Sequence, residues 1–140
     1  MAIWKTPFTL SELALRGQNT LAAHVGIEFT EQGEDFLKAR MPVDHRTLQP
    51  IGIMHGGASC VLAETVGSVA ANYAVDLRHF YCVGLEINTN HIRQAKEGWV
   101  IGTAKPIHIG KRTQVWSIEI HHESGYLVSI NRLTVMVMER

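Results

Sequence analysis

The sequence predicts an α+β fold in which one largely antiparallel sheet wraps one long helix. Three observations carry that expectation. Residues 56 to 74 form a single run of small and aliphatic side chains with the look of a helix. From residue 80 onward the chain instead breaks into alternating stretches at Gly98, Gly110 and Gly125. The connections between those stretches are too short for crossovers, which predicts hairpin neighbours.

Taken in order, Thr9-Leu10-Ser11-Glu12 has the spacing of a capping box, so a short helix is predicted from about Leu10 to Arg16, ended by Gly17. Residues 24 to 31 and 35 to 43 read as a strand pair joined through Gly33. Leu37, Ala39, Met41 and Val43 share one face of it, Lys38 and Arg40 the other, and Pro42 places its end at an edge. A loop of turn formers, Asp44 to Ile53, leads to Gly56-Gly57 and the long helix, predicted to reach about Ala74 and to be buried nearly all round. Residues 80 to 95, 98 to 108, 112 to 122 and 126 to 138 are the last four strands.

The 140 residues, 46% hydrophobic and 19% charged, suit one compact domain over residues 1–140 without repeats or linkers. Thirteen basic residues balance thirteen acidic ones, so the net charge supports neither a nucleic-acid nor a membrane partner. Cys60 and Cys82 sit among apolar neighbours and read as buried thiols of a reducing cytoplasm. Met1 to Leu10 lacks the apolar stretch of a signal peptide. Residues 57 to 75 contain Ser59, Glu64, Thr65, Ser68 and Asn72, which suits packing within a soluble protein better than a membrane span.

Between Thr47 and Val75 the only formal charge is Glu64, which follows His55-Gly56-Gly57. An unpaired carboxylate is costly to bury, so Glu64 is either exposed, hydrogen-bonded or held for chemistry. Gly56 and Gly57 either make a tight turn or present free helix-start amides to an oxyanion, Gly56 being the better placed. Glu64 lies two turns beyond Gly57, about 10 Å along the axis, and Ser68 shares its face. One carbonyl cannot touch both the helix start and Glu64 of the same chain, so a site using both needs two subunits. Two such helices antiparallel about a two-fold axis would make two equivalent composite sites. His55 and Gln49 stand where they could orient water or a substrate oxygen, and Ser68 either assists or bonds back within its helix.

Other chemistries fit less well. Gly57-Ala58-Ser59-Cys60 is not a nucleophile elbow, and a thiol in a buried run is inert. His121 and His122 point to opposite faces of a strand and no H-E-x-x-H occurs, so no metal is expected. A basic group remains: His91, Arg93 and Lys96, then Lys105, His108, Lys111 and Arg112. It is either a solvated rim or, with the Gly110 backbone, a cradle for nucleotide phosphates.

The segment Gln49-Pro50-Ile51-Gly52-Ile53-Met54-His55-Gly56-Gly57-Ala58, followed by Leu62-Ala63-Glu64 and Gly67-Ser68, resembles the hotdog-fold acyl-CoA thioesterases. Within them it is similar to the branch of 4-hydroxybenzoyl-CoA and 1,4-dihydroxy-2-naphthoyl-CoA thioesterases. Val83-Gly84-Leu85-Glu86-Ile87-Asn88, Asn90-His91, Pro106 to Gly110 and Gln114-Val115-Trp116 extend the likeness over nearly the whole chain. The resemblance implies a long helix wrapped by an antiparallel sheet, dimers and commonly tetramers, and no cofactor beyond the CoA of the substrate. It places the catalytic carboxylate on Glu64 and the oxyanion amide on Gly56, with Gln49 and His55 positioning water or thiolate and Ser68 beside the water. CoA contacts would fall on Gly84, on His91, Ile92, Arg93 and Gln94, and on His108, Ile109, Gly110, Lys111, Arg112 and Thr113. Close members often carry Phe at the place of Ile51, which bears on the acyl pocket.

The resulting expectation is a cytoplasmic acyl-CoA thioesterase, with an aromatic substrate such as one of menaquinone synthesis, and with Glu64 as nucleophile or general base. Two alternatives stand beside it: a proofreading thioesterase for misacylated aryl carrier protein, and a non-catalytic acyl-CoA-binding module. Turnover separates the last from the others.

Overall fold

The computed structural model describes residues 1–140. Helix α1, Leu10–Arg16, begins as its sequence predicts: Thr9 Oγ1 accepts from the Glu12 N–H at 3.2 Å and Glu12 Oε2 accepts from the Thr9 N–H at 2.8 Å. Gly17 closes it. A second short helix, α2 at Leu21–His24, precedes and just overlaps the strand expected from residue 24. Gly26, at φ +81°, then breaks the chain, and strand β1 starts only at Glu28–Gln32.

Strand β2, Leu37–Pro42, buries Leu37, Ala39 and Met41 and leaves Lys38 and Arg40 half-exposed, the alternation its sequence predicts. β1 pairs with β2 only as far as Glu28 opposite Arg40. Pro42 lies beyond that last pair, where a missing N–H removes no bond to β1.

Helix α3 spans Gly56–Tyr73 and buries Ser59, Leu62, Ala63, Val66, Gly67, Ala70 and Ala71, a stripe of three- and four-residue spacing. Its opposite face is open: Gly57 and Glu64 are exposed and Cys60, Val61 and Ser68 half-buried. The expectation of burial all round is therefore corrected for the single chain. The small residues do let the sheet come close. A Cβ at Gly67 would lie 2.8 Å from Leu133 Cδ2 and 3.1 Å from Ile118 Cδ1.

Strands β3 (Phe80–His91), β4 (Trp99–Ile109), β5 (Thr113–His122) and β6 (Leu127–Glu139) complete one six-stranded antiparallel sheet in the order β1-β2-β4-β5-β6-β3. Trp116, Ile118, Ile120, Leu133 and Val135 are fully buried in the core with Leu62 and Val66 of α3. One expectation about connectivity fails. β3 does not pair with β4 but crosses to the far edge, where it runs antiparallel along β6 from Phe80 opposite Glu139 to His91 opposite Ser129. The helix holds it there: Asn72 Oδ1 accepts from the Cys82 N–H at 2.8 Å, and Cys60 Sγ lies 3.2 Å from Thr89 Oγ1. The outer edge of this 12-residue strand has no neighbour in the chain.

Candidate active site

The loop before α3 is pinned at several points. Thr47 Oγ1, buried, donates to Pro42 O at 2.7 Å, the His55 N–H donates to Thr47 O at 2.8 Å, and the Met54 N–H to Ala95 O at 2.8 Å. At its start the Arg46 guanidinium and backbone N–H both donate to Asp44, which holds that carboxyl near pH 2. Because the folded value is depressed, the pair stabilises the loop fully above the ordinary carboxylate range and loses that contribution as the pH falls toward about 2.

His55 is the N-cap of α3, an uncommon residue there, and its Nδ1 accepts from the Gly57 N–H at 2.8 Å. In the neutral ring this places the proton on Nε2, a donor on an exposed side chain. Gly57 is thus engaged, whereas the Gly56 N–H has no acceptor within the chain. A cleft of about 420 Å³ opens at Gly56, between Gln49 and Met54 on one side and His91, Arg93 and Gln94 on the other. The His91 ring packs against Gly56 so closely that a Cβ there would lie 3.0 Å from Nε2. Gln49 lines this cleft, but its Oε1 folds back to accept from the Ile51 N–H at 2.6 Å, and Ile51 stands exposed at the loop tip.

Glu64 projects from the open face of α3 toward β3, where a Cβ at Gly84 would fall 2.6 Å from Glu64 Oε1. Gly84 therefore clears space for the carboxylate. Ser68, one turn on, lines a different cavity that runs between α3 and α1. Glu64 and Gly56 lie eight residues apart in one uninterrupted helix, about 12 Å along its axis, so a single chain does not bring them together.

The basic segments are also separated within the chain. His91 pairs with Ser129 of β6, while Thr113 and Val83 both pair with Met136. Seven residue steps along β6, about 23 Å of strand, thus separate the His91 to Gln94 segment from the His108 to Thr113 hairpin. Arg93 stacks on Tyr126, its guanidinium carbon 4.1 Å from the ring centre, and makes no ion pair with a carboxylate.

Two features escaped the sequence reading. Ser59 is 1% exposed, lines the cleft at Gly56, and its Oγ has no partner in the chain. A serine within an apolar helical run was the available signal. The cysteines also differ from each other: Cys82 is buried, which pushes its thiol up to about 11, while Cys60 is only half-buried. No three His, Cys, Asp or Glu side chains gather where they could hold a metal ion, and no helix is long and apolar enough to cross a membrane.

Comparison with known proteins decides the family. The model described as the thioesterase superfamily matches residues 51–129, more than half of the chain. The chain belongs to the thioesterase superfamily. Its sequence is 49% identical to the 1,4-dihydroxy-2-naphthoyl-CoA hydrolase of Escherichia coli, over 97% of this chain and 99% of that one. The proofreading thioesterase EntH of Cronobacter turicensis is 45% identical, over 97% and 98% respectively. A crystal structure of a thioesterase from Haemophilus influenzae superposes with a TM-score of 0.96 at 44% identity, covering 98% of this chain and 95% of the other. The sheet wrapped on α3 is thus the hotdog fold, and thioester hydrolysis is the reaction class of this superfamily member.

Proposed function

We propose that the chain hydrolyses an acyl-CoA with an aromatic acyl group to the free acid and CoA, in sites shared between two copies. The supporting observation is the separation of the two reactive groups: a free Gly56 N–H and an exposed Glu64 carboxylate, about 12 Å apart along one helix. An antiparallel copy of α3 sets the partner's Gly56 against Glu64 and closes that gap. The unpaired outer edge of β3, with exposed Val83 and Leu85, suits the same pairing, strand edge to strand edge. In a register with Gly84 facing the partner's His91, the partner's His91 to Gln94 segment also approaches the His108 to Thr113 hairpin. Two gaps close with one symmetry operation, and a phosphate-bearing CoA would lie where the basic segments meet. Pairing of such dimers into a tetramer is part of the same proposal.

In this site the thioester oxygen rests on the Gly56 amide, which stabilises the developing oxyanion by about 2.7–4 kcal/mol. Glu64 either attacks the carbonyl carbon, expelling CoA thiolate to leave an acyl anhydride that water hydrolyses, or takes a proton from the water that attacks. His55 Nε2–H donates to the leaving sulfur or to the water, and Ser68 holds water on the far side of Glu64. The reaction consumes only water, so no cofactor is required, and a CoA thioester substrate suits an enzyme of the cytoplasm. The relative named for 1,4-dihydroxy-2-naphthoyl-CoA supports an aromatic substrate and menaquinone synthesis as its setting. The relative named EntH supports a second reading, proofreading of misacylated aryl carrier protein.

The test is thiol release from aromatic, short-chain and long-chain acyl-CoAs and from an aryl-loaded carrier protein. The aromatic acyl-CoA is expected to have the highest kcat/KM. A higher value for the carrier protein would favour proofreading, and tight binding of acyl-CoA without thiol release would mean a non-catalytic module.

A further inference from the structure

The turn between β5 and β6 reaches across to the segment that carries Arg93 and Gln94, and it does so with two rings. Gly125, at φ +110°, lets the chain reverse tightly, with the His122 N–H donating to Tyr126 O at 2.9 Å. The His122 and Tyr126 rings stack across the hairpin, 5° from parallel with centres 4.8 Å apart. Each side chain also holds a backbone carbonyl of residues 92–97, a stretch outside any helix or strand. Tyr126 Oη donates to Gln94 O at 2.9 Å. His122 Nδ1 accepts from the Ser124 N–H at 3.1 Å, so the neutral ring carries its proton on Nε2, which donates to Glu97 O at 2.8 Å.

Arg93 lies on the same tyrosine, its guanidinium carbon 4.1 Å from the ring centre, and it has no carboxylate partner. A cation is fixed in this way without being neutralised. An ion pair would occupy its N–H groups, whereas stacking uses the flat face of the guanidinium and leaves the donors along its edge open. Arg93 borders an open cleft of about 580 Å³, where Lys96 and Glu97 also stand. We propose that Tyr126 is a positioning residue for the nucleotide end of a CoA thioester: its ring, itself held by His122, sets the pose in which Arg93 meets phosphate. This rests on the reading of the His91 to Gln94 segment as a CoA contact. Neither ring touches the substrate; both act through Arg93 and the backbone that bears it.

The experiment measures KM for benzoyl-CoA and for benzoyl-pantetheine, which lacks the nucleotide. Tyr126→Leu keeps an apolar side chain on the hairpin but offers no ring face. It is expected to raise KM for benzoyl-CoA by about 5- to 10-fold, the scale of one exposed cation–π contact together with one hydrogen bond. Its kcat, its KM for benzoyl-pantetheine and its melting temperature are expected to stay near wild type. Tyr126→Phe retains the ring face and loses only the hydroxyl, so it is expected to restore most of the affinity. Arg93→Ala is expected to raise KM for benzoyl-CoA at least as much as Tyr126→Leu, and the double variant to be little worse than Arg93→Ala, because the tyrosine works through the arginine. Additive effects, an equal rise for both substrates, or an unchanged KM in Tyr126→Leu beside a raised one in Arg93→Ala would overturn the positioning role alone. An unchanged KM for benzoyl-CoA in Arg93→Ala would overturn the reading of that segment as a CoA contact, and this inference with it.

Discussion

Glu64→Gln is expected to lower kcat by at least about 10²–10⁴-fold, the range that general base action alone supplies. The side chain keeps its shape and its place against Gly84, so acyl-CoA binding, oligomeric state and melting temperature are expected to stay near wild type. Exposure of the side chain in the single chain makes a folding defect a poor explanation for lost turnover. Stopped-flow detection of CoA thiol separates the effect on kcat from any on KM, and retention of most of the activity would remove Glu64 from the chemistry. Solvent oxygen-18 appearing in Glu64 after a single turnover would identify it as nucleophile; its absence would identify it as base.

Gly84→Ala is expected to reduce kcat by about 10²-fold without removing any reactive group, the scale on which misplacement by about an ångström acts. The added methyl would meet Glu64 Oε1 at 2.6 Å. That oxygen is the far end of a flexible side chain, so the fold yields there easily and the carboxylate swings aside. Gly84 is not among the positive-φ glycines, and alanine there strains no backbone. The expected signature is a lowered kcat with an unchanged melting temperature. Wild-type kcat in this variant would show that the carboxylate need not lie against β3.

What was legible in the sequence is local or periodic. The capping box of α1 lies within four consecutive residues, and the alternation of β2 and the small-residue run of α3 repeat at fixed spacing, so each could be read directly. The strand expected from residue 24 starts only at Glu28 because Val25 and Ile27, apolar residues that also suit a strand, flank the turn at Gly26. The place of β3 was misread for a different reason: a short connection permits a hairpin but does not require one, and the side chain of Asn72 on α3 helps fix the strand at the β6 edge. Proximity in sequence likewise merged two basic segments that β6 holds apart. By contrast, the distance between Gly56 and Glu64 follows from helix rise alone, which is why a shared site could be argued before any tertiary contact was known.

The central claim, that each site takes Gly56 and His55 from one copy and Glu64 from the other, is tested most directly by subunit mixing. Two inactive variants, Glu64→Gln and His55→Ala, are unfolded together, refolded, and the hetero-oligomers confirmed by native mass spectrometry. A mixed dimer then holds one site with both defects and one with neither, so the account predicts recovery of about half the wild-type kcat per mixed dimer. Confirmed hetero-dimers with no activity above the parent variants would show that each chain works with its own residues, and would contradict the shared site.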